Sequence, residues 1–438
     1  MTIYRAAVVD TPGDPFAGDP ADALAADQDG ALLVRDGVIR ARGSFADLRA
    51  AHPAEPVTRL DGGLLVPGFV DTHVHFPQIR AIGGLGLPLL DWLEQCALPE
   101  ESKLASQDYA RAVAAEFLDG LIASGTTSAL VFGSHFPAAM DELFAAAGQR
   151  GLNITSGLVL SDRILRPDLL NSPESALTDS ADLIVRWHEH GRLRYAVTPR
   201  FSLSASDEML DVCAQLLGQG VWFTSHINEN VAEIATVAGL FPGARHYLDT
   251  YRRHGLVTER SLFAHNVHPG DAELAVLAEH GASVAHCPTS NCALGSGLFP
   301  LRRHIERGIG VALGSDVGAG AGLFLPKEAL QAYFIQQLLG PAGLPLTPVH
   351  LLYLATRAGA RALGLQDSVG DFAVGKDFDA VWLRPVAGST LAVNLKHASD
   401  TTDALARIFS LATPADVAGV WIRGERACEV AEAHPWPG

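Results

Sequence analysis

From Leu64 to about Ala362 the chain alternates between two textures. Short runs rich in Val, Ile, Leu, Phe and Thr are followed by longer stretches rich in Ala, Leu and Glu. The short runs have the length and composition of buried strands, and the longer ones read as helices. Eight strand candidates result: Leu64–Val70, Thr126–Phe132, Leu152–Leu160, Leu193–Val197, Val221–Ser225, Ser261–Ala264, Ala282–Ala285 and Val311–Gly314. Eight strands alternating with helices predict an α/β fold, a parallel (β/α)8 TIM-type barrel. Such a barrel gathers its chemistry at the C-terminal ends of its strands.

The flanks have a different texture. Ala31–Arg40 reads as a hairpin turning at Asp36-Gly37, Phe378–Leu383 as a strand, and Gly419–Arg426 as a second hairpin. Neither flank has enough apolar residues for a core of its own. Residues 1–63 and 370–438 are therefore expected to pair into one small β-sandwich domain built from both chain termini, leaving 64–369 as the barrel. Residues 10–30, rich in Asp, Ala, Pro and Gly, read as a surface loop.

The strand ends are chemically unusual for a core. They carry His73 and His75, Ser134-His135, Arg200-Phe201, His226-Ile227-Asn228-Glu229, His265-Asn266, His286-Cys287 and Ser315-Asp316. Residues i and i+2 of a strand project to one face, so His73 and His75 lie about 6–7 Å apart there and can share a metal ion. His188-Glu189-His190 has the same spacing but follows a helix-like segment, where i and i+2 diverge. The intervals of 151 residues from His75 to His226, 39 to His265 and 51 to Asp316 match whole numbers of strand–helix units. The candidates thus converge from strands one, five, six and eight.

Imidazole nitrogens and a carboxylate oxygen suit zinc with a position left for water, and iron or manganese accept the same donors. His73, His75, His226 and Asp316 form the candidate ligand set, with His265 either a fifth ligand or a neighbour of the water. Glu229, three residues after His226, is placed to act as base and then acid toward that water. Its alternative role is to compensate the dipole of the helix that follows.

Composition narrows the partners. The 438 residues are 48% hydrophobic with a net charge of −17, and no Lys/Arg cluster stands out. A nucleic-acid polymer is therefore not an expected partner, and a small neutral or cationic substrate is. No apolar run reaches the ~20 residues needed to cross a bilayer, and the N-terminus lacks the pattern of a signal peptide. Five scattered cysteines suit free thiols in a reducing cytoplasm. Cys287 and Cys292 lack the Pro-Cys-x-x-Cys arrangement of the cytidine-deaminase zinc site and read as a buried thiol and a loop thiol.

Pro67-Gly68-Phe69-Val70-Asp71-Thr72-His73-Val74-His75 resembles the opening motif of the amidohydrolase superfamily. Ser225-His226-Ile227-Asn228-Glu229-Asn230 resembles the His-x-x-Glu of its mononuclear deaminase branch, and Gly314-Ser315-Asp316 its eighth-strand motif. No lysine follows a barrel strand where the dinuclear branch often has a carbamylated one, which favours one metal. His75-Phe76-Pro77-Gln78, Leu87–Leu93, Thr198–Ser202, His286–Asn291 and Gly314–Gly320 resemble the guanine deaminase family within that branch. Ala321-Gly322-Leu323-Phe324 departs from it, being less polar than the resemblance leads one to expect.

The resemblance implies one zinc ion per chain, held by His73, His75, His226 and Asp316. It implies that His265 orients or polarises the reacting centre, and that Glu229 and Asp316 move protons. Gln78, Arg200 and Phe201 would hold a purine, because an amide and a guanidinium match the O6 and N7 edge of guanine. Trp92 is a stacking or lid residue or a piece of core, and Arg200 is alternatively a structural ion pair. The implied reaction is hydrolysis of guanine to xanthine and ammonia in a cytoplasmic homodimer, serving purine catabolism. Two alternatives stay open: another amino-heterocycle (8-oxoguanine, a pterin or an s-triazine) as substrate, and a non-catalytic scaffold that kept the barrel.

Overall fold

The computed structural model describes residues 1–428, so the last ten residues assigned to the small domain, and the Cys428 side chain, lie outside the described residues. Eight strands stand side by side in chain order: Phe69–His75, Thr126–Phe132, Asn153–Gly157, Leu193–Pro199, Trp222–Ile227, Ser261–His265, Ser283–His286 and Gly310–Leu313. Every neighbouring pair in this order is parallel. Nearly every residue in them is buried, which explains their continuous apolar runs: helices cover the outside and the opposite strands fill the inside. Helix Gln107–Ala123 is typical of the cover. Ser106 caps it, and Val113, Phe117 and Leu121 bury one face at i, i+4 spacing.

The barrel closes where the site residues sit. Thr72 Oγ1 donates to the Leu313 carbonyl (2.9 Å), Asp316 N–H to the His73 carbonyl (2.8 Å), and His75 N–H to the Val317 carbonyl (2.9 Å). The Asp71 carboxyl accepts from Ser315 N–H (3.0 Å), Ser315 Oγ (2.5 Å) and His73 N–H (3.2 Å). Burial pushes that carboxyl up to about 7, against the hydrogen bonds from Ser315 and His73. Close approach at this seam needs Gly314, because a Cβ there would lie 2.8 Å from His73 Cβ and 3.1 Å from Cys287 Sγ.

The chain ends meet in one seven-stranded sheet. Val57–Pro67 runs parallel to Thr2–Asp10 on one side and antiparallel to Ala380–Leu383 on the other. Asp36 and Gly37 turn the expected hairpin with φ of 53° and 76°. The sheet folds over itself. Tyr4 lies 5.8 Å from Trp421 and 4.5 Å from Phe378, ring to ring, although two strands separate the Tyr4 and Trp421 strands. This encloses a core of Tyr4, Leu32, Leu65, Phe378, Trp382 and Trp421. Asp379 joins sheet to barrel: its carboxylate accepts from Arg192 (2.5 Å) and its carbonyl from Gly68 N–H (3.0 Å).

Three local expectations change. Leu64–Pro67, expected to open the barrel, completes a strand of the terminal sheet; the barrel strand starts at Phe69. The exchange falls at Gly68, where a Cβ would lie 2.1 Å from Thr127 Oγ1. Leu152–Leu160 breaks after Gly157, and Val159–Leu160 pairs separately with Leu193–Pro199. The expected loop 10–30 ends at Ala25, where a strand begins.

If the seam depends on Asp71, Asp71→Ala strands buried donors and costs about 2–3 kcal/mol of unfolding free energy. Asp71→Asn keeps an acceptor for Ser315 and should cost less than half as much. Urea denaturation of both variants checks this, and equal losses would contradict it.

Candidate metal centre and active site

The strand ends bring all five expected centre residues together. His73 and His75 share a face of the first strand with Nε2 atoms 3.2 Å apart and rings near perpendicular. His226 Nε2, at the end of the fifth strand, is 3.4 Å from His75 Nε2. Asp316 Oδ1 is 3.2 Å from both His73 Nε2 and His75 Nε2. His265 Nε2 lies 3.8 Å from Asp316 Oδ2 and 3.5 Å from Glu229 Oε2. Ligand atoms of His73, His226, His265 and Asp316 all fall within 4.8 Å of one another. Tetrahedral zinc bonds of about 2.0–2.1 Å hold their donor atoms about 3.3 Å apart. The spacings of His75 to His73, His226 and Asp316, and of His73 to Asp316, fit that requirement, while His265 lies 3.8 Å from Asp316.

Protonation suits metal binding. The Arg200 carbonyl is 2.6 Å from His226 Nδ1, so this nitrogen carries the proton and Nε2 offers its lone pair. Asn291 Oδ1 holds His265 Nδ1 in the same way at 2.9 Å. Burial lowers the His73 imidazole, pushes His75 down to about 4 and holds His226 well below its ordinary value, keeping all three neutral. Burial alone would raise Asp316, but the His73 and His75 imidazoles beside it, both 3.2 Å away, hold it well below the usual carboxylate range.

The backbone is strained at this rim. Asn228, His265, Asn266 and Asp316 are all non-glycine residues at φ between 47° and 72°. Each such residue costs on the order of 1–3 kcal/mol unless its surroundings impose it. Asn228 Nδ2 donates to Asn266 Oδ1 and Glu273 Oε1, both at 3.0 Å, which ties the fifth and sixth strand ends together.

Glu229 is not spent on capping. The helix Val231–Leu240 is capped by the side chains of Asn230 and Glu233. Ser296 Oγ donates to Glu229 Oε1 at 3.1 Å, leaving Oε2 toward His265. Burial, and then the charge of Asp316, push Glu229 up to about 8. It borders a narrow pocket, with Gln78, Trp92, Arg200 and Phe201 also in its wall.

One residue behind this wall escaped the sequence reading. Glu101, buried, accepts from Gln78 Nε2 (2.6 Å) and takes Arg200 Nη1 at 2.9 and 2.7 Å on its two oxygens. Its neighbour Glu100 instead meets Lys103 and Tyr109, and no spacing in the sequence distinguishes the two. Other strand-end residues stay outside the centre. His135 sits 3.4 Å from Glu101, and His286 stacks on Phe299 at 4.2 Å. His188 accepts from Tyr195 N–H and takes no part. Cys287 is buried, Cys292 is exposed, and the described cysteines are free.

A donor cluster at the carboxyl end of a parallel barrel, beside a buried carboxylate, defines a metal-dependent hydrolase class. The chain belongs to the amidohydrolase family, whose model matches residues 64–427. Residues 30–54 are also similar to the imidazolonepropionase-like composite domain of bacteria. Within the family the resemblance is to guanine deaminases. A probable guanine deaminase of Deinococcus radiodurans is 60% identical over 431 residues, covering 97% of this chain and 98% of the relative. The structure of Escherichia coli guanine deaminase superposes with a TM-score of 0.95 at 35% identity, over 98% of this chain and 100% of that one. That of C. acetobutylicum guanine deaminase with guanine bound in the active site gives 0.89 at 28% identity, over 97% and 99%.

The purified protein is expected to hold about one divalent ion per chain. Stripping it with a chelator should lower the melting temperature, and added zinc should restore it. His226→Ala should lose the zinc-dependent rise. A melting temperature indifferent to chelator and zinc would show that the cluster binds no metal.

Proposed function

We propose that this chain hydrolyses guanine to xanthine and ammonia, with one zinc ion per chain held by His73, His75, His226 and Asp316. The observation that carries the reading is the meeting of a four-donor cluster, Glu229 and an amide–guanidinium wall at one pocket. The named activity of the full-length relatives supplies the substrate. Zinc suits three imidazole nitrogens and one carboxylate oxygen with a position left for water. When bound, the ion acidifies water toward neutrality and polarises it.

The remaining steps belong to the chain. Water attacks C2 of guanine as Glu229 Oε2 takes one of its protons and delivers a proton to the adjacent ring N3. Asp316 Oδ2 accepts the second proton of the water. His265, its Nδ1 proton tied to Asn291, meets the attacking oxygen through Nε2. Glu229 or Asp316 then protonates the exocyclic amine, ammonia leaves and xanthine remains. Gln78 and Arg200 orient the ring edge, and Phe201 and Trp92 bound its faces. No helix among the described residues is long and apolar enough to cross a membrane. We further infer a homodimer working in the cytoplasm in purine catabolism, in line with the family resemblance and the free thiols.

An ultraviolet assay of guanine conversion tests the reading. Glu229→Gln should retain metal and fold but lose about 10²–10⁴-fold in kcat. Undiminished turnover in that variant would remove Glu229 from the proton path.

A further inference from the structure

Glu101 touches both hydrogen-bonding side chains of the cavity wall and is itself only 3% exposed. Gln78 is clamped at both ends: its amide nitrogen donates to Glu101 and its oxygen accepts from Gly318 N–H at 3.1 Å. The amide therefore presents one orientation. Arg200 gives Glu101 only Nη1, leaving its other N–H groups for the cavity. A buried guanidinium alone would make the cavity cationic. Paired with Glu101 it contributes directed donors with little net charge. Burial would raise the Glu101 carboxyl, but Arg200, helped by His135 and Gln78, keeps it ionised well below the usual range.

That charge balance matters for a reaction whose product is more acidic than its substrate. The second carbonyl of xanthine stabilises the anion left by loss of a ring proton, so xanthine ionises at lower pH than guanine. An uncompensated buried arginine in the pocket wall would retain that anion.

We propose that Glu101 is a positioning and specificity-determining residue, which orients Gln78 and Arg200 and cancels the Arg200 charge so that the cavity takes a neutral aminopurine and releases its anionic product. The inference rests on the guanine reading above. Glu101 touches no reacting atom; it acts through its two partners.

The test is steady-state kinetics of wild type, Glu101→Gln and Glu101→Asp on guanine, with xanthine as inhibitor at mildly acidic and mildly alkaline pH. Glu101→Gln should raise KM for guanine roughly tenfold with kcat changed less than threefold, and bind xanthine roughly tenfold tighter at alkaline pH only. Glu101→Asp keeps the charge, so it should raise KM without that gain. Glu229, His265 and Asp316 also face the cavity, and His135 faces Glu101. The first three are present unchanged in every variant, whereas His135 feels the Glu101 charge, so Glu101→Asp, which keeps that charge, is its control. Equal weakening of guanine and xanthine at both pH values would reduce Glu101 to a structural role and overturn the proposal. So would tighter binding of the anion by Glu101→Asp. Failure of the wild type to convert guanine would instead overturn the guanine reading, and that rate is read first.

Discussion

Three imidazoles and a carboxylate, with His75 Nε2 3.2–3.4 Å from His73, His226 and Asp316 at the buried end of the barrel, constrain everything around them. With the imidazoles neutral, and His226 protonated on Nδ1 toward the Arg200 carbonyl, the ring nitrogens crowd one another and the Asp316 carboxylate. Such an arrangement is unfavourable without a cation and strongly favourable with one. The donors come from the ends of the first, fifth and eighth strands, so the cluster forms only once the barrel has closed. The seam between the last strand and the first is stitched by residues adjacent to the ligands, with Asp71 gathering Ser315 and His73. Metal affinity and barrel closure are thus coupled. The strained backbone at His265 and Asp316 belongs to the same balance.

Around this centre the polar groups are arranged in dependent pairs. His226 is oriented by the Arg200 carbonyl, and the Arg200 side chain by Glu101. His265 is oriented by Asn291, and Glu229 by Ser296. Each of these four groups has a partner behind it, which fixes its direction before anything binds. The terminal sheet stands outside this arrangement and meets the barrel at Asp379 and Gly68.

The centre was legible in the sequence because its information is local and periodic. A His-x-His at a strand end, and further ligands at multiples of one strand–helix unit, specify a ring without knowledge of contacts. The exchange of sheets at Gly68 was not legible. Leu64–Val70 is one apolar run, and only the Thr127 side chain against Gly68 divides it between two sheets. Glu101 was hidden for a different reason. Its role depends on Arg200, 99 residues away, and an acidic residue on a short helix reads as solvated. The break after Gly157 likewise follows from the Ala196 carbonyl, which a Cβ at Gly157 would approach to 1.8 Å.

Anomalous diffraction at the zinc edge tests the central constraint most directly. One peak per chain is expected, bonded at about 2.0–2.1 Å to Nε2 of His73, His75 and His226 and to Asp316, with His265 beyond bonding distance. A peak that takes His265 in place of His75, or a cluster that binds no ion in crystals grown with zinc, would contradict the account.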